Sequence, residues 1–158
     1  MPNVSLVPVV GTIRSVENME GNCCNKMITI WSPEEEVKFV LSPDTVVIDS
    51  IPLRAGMYVA AFYDTNAPMP LIFPPQYQAV IMTRLERGEN VILTRCDDNL
   101  TSFQNTLQLT PGRATRVTTV NGQRYSCDLS NRDLLVYYSN TTRSIPPQTT
   151  PRRIVVLC

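Results

Sequence analysis

Histidine is absent from this chain, so any chemistry would have to come from its five cysteines, fourteen Asp/Glu, fourteen Lys/Arg and six tyrosines. That removes the commonest general base, the commonest metal ligand and every His-dependent triad. Cys23 and Cys24 are adjacent, while Cys96, Cys127 and Cys158 are scattered. Adjacent cysteines suit neither a CxxC redox pair nor a zinc knuckle, and an odd number cannot complete a disulfide framework. They read as small hydrophobes in a reduced compartment, and a metal site would need Cys23 or Cys24 to meet distant cysteines in space. Glu34 to Glu36 lie in "SPEEE", a turn signal with a solvated charge run, and Asp97-Asp98 follow a strand-like run where turn chemistry explains them. No Gly-rich phosphate loop, EF-hand loop or nucleophile elbow is written anywhere in the chain. The expectation is a non-enzyme with no catalytic residues, no cofactor and no metal.

Binding chemistry is better represented. Two stretches, "PLIFPPQYQAVIM" (70–82) and "RSIPPQTTPRRIVVL" (143–157), repeat a Pro-Pro-Gln corner before a strand-like run. Upstream of each, an apolar run ends in two aromatics, Phe62-Tyr63 or Tyr137-Tyr138. Tyr63, Gln76, Tyr77, Tyr138 and Gln148 are therefore candidate contact residues beside the corners. Residues 85–158 hold nine Arg and six Asp/Glu, net +3, whereas 1–84 hold five Lys/Arg and eight Asp/Glu, net −3. This asymmetry fits either mutual docking of the halves or a polyanion at the second one. Arg116, Arg124 and Tyr125 are the candidate groups for single-stranded nucleic acid or an oligosaccharide. Against a polyanion stand the zero net charge and pI of about 6.2.

The elements that must position these residues are strands. No 3.6-residue apolar period persists, and thirteen prolines are scattered along the chain, which helix interiors reject. Residues 9–17 and 90–96 read as opening strands, and 18–24 and 97–104 as polar loops. Then follow the meanders "MITIW-SPEE-EVKFVL-SPD-TVVID" and "TLQL-TPGR-ATRVTTV-NG-QRYSCDL", the second with Asn121-Gly122 as a hairpin turn. At most one helical turn is expected, around "IPLRAG" (51–56). The prolines would hold each corner near polyproline II, with Gln76 and Gln148 bonding backbone where strands part. The halves thus form an internal repeat, 1–84 and 85–158.

Strand, loop, meander, short connection and two further strands resemble the OB-fold, a small Greek-key barrel. "TVVIDSIPLRAGMYVAAFY" (45–63) is similar to the stretch leading into that fold's fourth strand. The ending "SIPPQTTPRRIVVL" resembles uncharacterised proteins of Firmicutes bacteria with similar Pro-Pro-Gln repeats, a resemblance that implies a fold and no activity. The fold class expected is all-β, two tandem OB-like barrels, with a pair of small β-sandwiches as the alternative.

No run approaches the length of a membrane span, and the start lacks the basic and apolar regions of a signal peptide. Cytoplasmic location and no membrane partner are expected. The pattern Asn-x-Ser/Thr at Asn3, Asn99 and Asn140 has meaning only on export. A non-catalytic interaction or assembly module is the leading expectation, with a protein or an extended polymer as partner. Self-association is a further expectation, because the last strand, "RIVVLC", has no charged tail to blunt its edge.

Overall fold

The computed structural model describes residues 5–68 and 71–158. The Asn3 glycosylation pattern, residues 1–4 of the expected first repeat, and Pro70 lie outside the described residues. The chain divides into two compact units, Ser5–Glu86 and Arg87–Cys158. The described residues are all-β, apart from a single 3₁₀ turn at Ile48–Ser50, just before the stretch where a helical turn is expected. No helix among them is long and apolar enough to cross a membrane.

The first unit holds β1 (Leu6–Met19), β2 (Asn22–Trp31), β3 (Glu36–Leu41), β4 (Val46–Val47), β5 (Tyr58–Asp64), β6 (Gln76–Gln78) and β7 (Ile81–Arg84). They form one open sheet in the order β4-β7-β5-β1-β2-β3-β6. β1 serves two neighbours: residues 6–12 pair with β5 and residues 12–19 with β2. At the changeover its backbone presses on β2, and a Cβ added to Gly11 would overlap the Trp31 carbonyl oxygen. Alternation along β2, β3 and β5 directs Ile28, Ile30, Val37, Phe39, Val59 and Ala61 into one core.

The polar segment 18–24 is not a loop. β1 and β2 continue past the core to a two-residue turn in which Gly21 takes φ +78°, and Lys26 Nζ donates to Asn18 Oδ1 across the ribbon at 2.7 Å. Polarity there marks solvent on both faces rather than a break in pairing. The expected third meander strand also differs: β4 pairs in parallel with β7, not with β3. The turn at Ser42–Thr45 redirects the chain away from β3, closed by Thr45 N–H to the Ser42 carbonyl at 3.0 Å.

The second unit holds β8 (Asn90–Arg95), β9 (Gln108–Leu109), β10 (Arg116–Thr118), β11 (Asp133–Tyr138), β12 (Gln148–Thr149) and β13 (Arg153–Val156). One sheet runs β10-β13-β11-β8, and β12 pairs with β9. Its core gathers Cys96, Leu107, Leu109, Leu134, Val136 and Ile154. The second meander is thinner than expected. "QRYSCDL" forms no strand, and the Asn121-Gly122 turn is flanked by a single bridge, Thr118 to Arg124. The last strand is no free edge either, since β13 lies between β10 and β11.

Candidate functional site

Both Pro-Pro-Gln corners lead into a short strand that pairs in parallel with an earlier strand of the same unit: β6 with β3, and β12 with β9. Lys38 N–H donates to the Pro75 carbonyl and Gln108 N–H to the Pro147 carbonyl, both at 2.9 Å. The backbone at the corners is not the polyproline II run expected, because Phe73–Pro74 and Ile145–Pro146 are cis. The glutamines also act differently. Gln76 enters the ladder opposite Lys38, and the Gln148 side chain donates to the Gln108 side chain at 3.3 Å, while its N–H donates to Thr142 Oγ1.

In the first unit the corner builds a cleft of about 150 Å³ between the end of β5 and β6, lined by Tyr63, Asp64, Pro68, Gln76, Tyr77 and Gln78 among others. The Tyr63 and Tyr77 rings stack with centroids 4.0 Å apart, and both rings lie tilted against buried Phe39. Burial, with Tyr63 next, raises the Tyr77 hydroxyl above its ordinary pKa. Sequence reasoning paired Tyr63 with the corner, and the structure brings Tyr63, Gln76 and Tyr77 together. It missed the residues just before the prolines. Leu71 and Phe73 are 103% and 87% exposed, and in the second corner Ile145 is 96% exposed. The apolar letters before Pro-Pro were the available signal.

Gln148 lines a second cleft of about 590 Å³, walled by threonines and Asn140. Tyr138 does not join it. It packs half-buried against the second core, and burial raises its pKa.

Arg116, Arg124 and Tyr125 meet in a third cleft of about 470 Å³, together with Arg113, Thr118 and Gly122. Asn121-Gly122 turns the chain so that residues 124–125 return beside β10, with Tyr125 N–H donating to the Val117 carbonyl at 2.9 Å. The Tyr125 hydroxyl donates to the Asp128 carbonyl at 2.7 Å, and Arg132 lies 5.8 Å from the ring centroid. The Ser130 N–H and hydroxyl both donate to the Asp128 carboxylate and hold it below the usual range.

Only one cysteine is buried as a small hydrophobe is expected to be. Cys96 is buried, which pushes its thiol up to about 11, with Asp97 adding to the effect; the other four are exposed and free. Among the described residues, no group of three or more Cys, Asp or Glu converges in a way that could hold a metal ion. Comparison with protein-family models, curated proteins and solved structures returned no match.

Proposed function

We propose that the chain is a non-catalytic interaction module of two OB-like units, and that the first unit docks an extended polypeptide at its Pro-Pro-Gln corner. Strand order supports the OB-like part. β6 and β7 are two parts of one segment, 76–84, and backbone bonds flank its division: Ala79 N–H to the Val40 carbonyl, Val80 N–H to the Phe62 carbonyl, and Val46 N–H to the Val80 carbonyl. A first strand between second and fourth, with the third parallel to the last, is the plan of a partly open Greek-key barrel. The second unit has two of these three bonds, Arg152 N–H to the Tyr137 carbonyl and Arg116 N–H to the Arg152 carbonyl; Pro151, in the place of Ala79, has no N–H to donate.

The observation that carries the docking site is the β6 edge. β6 has a ladder partner on one side, β3, and on the other lies the cleft floored by the stacked tyrosines. An open strand edge beside aromatic and apolar side chains suits strand addition, where backbone bonds give affinity and side-chain pockets give choice. Among the described residues no cation lines the cleft and Asp64 does, which favours a peptide over a polyanion. Leu71 and Ile72 stand exposed next to it in sequence, as an apolar anchor. By analogy of fold alone, the loop before the last strand is one that OB-folds use for ligands.

A displayed library of linear peptides, selected on the full chain, tests this. Enriched peptides should lose about ten-fold in affinity for the Leu71→Ser, Ile72→Ser variant, whose thermal stability should be unchanged because both side chains lie outside the core. A library that enriches nothing, or peptides indifferent to the variant, overturns the site. A dimer seen by sedimentation that dissolves in the variant would make a second copy the occupant.

A further inference from the structure

We infer that the docking corner of the first unit reads an arginine: the bound strand places one arginine side chain in the tyrosine-lined cleft, with its guanidinium on Asp64. This specificity rests on the docking proposed above and names what that site selects.

The backbone fixes which residue of a bound strand enters the cleft. Toward β3 the corner uses Pro75, Tyr77 and Ala79. The Pro75 carbonyl accepts from Lys38 N–H, Tyr77 stands opposite Phe39, and Ala79 N–H donates to the Val40 carbonyl. In a strand, N–H and C=O of one residue point to the same side, and those of the next residue to the other. The backbone groups of Gln76 and Gln78 therefore point away from β3, and among the described residues neither has a backbone partner there. A strand added along this edge bonds to Gln76 and Gln78, and its residue level with Tyr77 shares the face that Tyr77 occupies. That face carries Tyr63 and Phe39, whereas the Gln76 side chain lies with Lys38 on the other. One side chain of the ligand, at a fixed register, is thus delivered to the cleft.

Size and charge say which side chain. A volume of about 150 Å³ is below the roughly 300 Å³ at which small-molecule pockets begin, and it suits a single long side chain. Tyr63 and Tyr77 form walls, Asp64 stands beside them, and no cation is among the described lining residues. Asp64 Oδ1 accepts Asn66 N–H at 2.9 Å, and among the described residues no bond engages Oδ2. Glu35, in the turn before β3, adds a second negative charge: burial, then Tyr63, then Glu35 raise the Tyr77 hydroxyl above its ordinary pKa. An apolar side chain in the cleft would cover the Asp64 carboxylate without replacing its water. Arginine suits both parts of the site. Its stem packs along aromatic walls, while its weakly hydrated guanidinium bonds the carboxylate.

The displayed peptide library, selected in parallel on the full chain and on its Asp64→Asn variant, is the test. Asparagine keeps an oxygen for the Asn66 N–H, so the turn survives and the melting curves should coincide. The full chain should enrich peptides with arginine at one fixed position of an extended stretch, and the variant should not. Replacing that arginine by neutral citrulline, which keeps its shape, should weaken binding to the full chain about ten-fold, and to Asp64→Asn by about two-fold or less. Methylating the peptide's backbone nitrogens should cost affinity at alternate positions only, those that face Gln76 and Gln78. The citrulline comparison on the full chain decides the matter if Asp64→Asn fails to fold. Enriched peptides that depend on Leu71 and Ile72 yet show no arginine preference overturn this specificity and leave the docking site standing. So does a citrulline loss of equal size with and without the Asp64 charge. A library that enriches nothing overturns both.

Discussion

Arg152 and Arg116 look alike in the sequence, each one or two residues after a threonine, yet their surroundings differ. Arg152 closes a two-bond pair with Glu89, which is 3% exposed, and its guanidinium lies 5.5 Å from the Tyr137 ring centroid. Arg116 lines an open cleft. Removing Arg152 takes a two-bond cation from a buried carboxylate, whereas Glu89→Gln leaves a half-exposed guanidinium that water can reach. Arg152→Ala should therefore cost about 3 kcal/mol in urea unfolding, and Glu89→Gln clearly less; equal losses would contradict the role of the buried charge. Arg116, Arg124 and Tyr125, which sequence reading grouped, line one cleft because the Asn-Gly turn brings 124–125 back beside β10. That reading could not see Arg113 as their companion, since a turn residue faces whichever way its turn is closed, and that depends on Thr115 and a partner far along the chain.

Thr45 and Thr115 show the same device in both units. Each hydroxyl donates to a carbonyl of the final segment, Ala79 at 2.8 Å or Pro151 at 2.7 Å, and accepts from the backbone N–H three residues earlier, Ser42 or Gly112. These carbonyls sit where the final segment leaves one neighbour and takes up another, a point where a ladder cannot satisfy them. Thr45→Val and Thr115→Val should each destabilise by about 1–2 kcal/mol, read as a shift in urea midpoint at constant slope. A cost in one unit alone would break the parallel between them. Long strands were legible from the residues: β5 and β11, with their aromatic ends, and β3 between two turn dipeptides. β4, β9 and β12 were not, because a strand of two residues has no period to read, and its partner is chosen by hydrogen bonds such as these threonines make.

For the molecule as a whole, the groups with raised pKa values occur in both units: Tyr77 in the first, Cys96 and Tyr138 in the second. Each is neutral when protonated and is held neutral to higher pH by burial. The Cys96 thiol titrates from 9.0 when unfolded to about 11 when folded, so between these values the folded chain binds more protons than the unfolded one. Stability is then full below pH 9 and falls as pH rises toward 11, with the tyrosines acting in the same direction from 10.0 upward. Melting temperature should drop between pH 8 and about 10.5, and Cys96→Ala should flatten part of that slope. A melting temperature flat across this range would show that the buried thiol and tyrosines ionise freely.

The threonine hooks have one more consequence. The chain enters 46–57 in one unit and 116–132 in the other from a hooked threonine, and leaves each at the start of a core strand, β5 or β11. β4 and β10 open these intervals and pair with β7 and β13, so only the chain between them and β5 or β11 can vary in length, at an entropic cost that grows slowly. The first unit fills the interval with a 3₁₀ turn, and the second with a short arginine-bearing ribbon. It is a cassette position: an interval past β4 or β10 where new sequence can be tried, by mutation or by grafting, on the sheets that carry it.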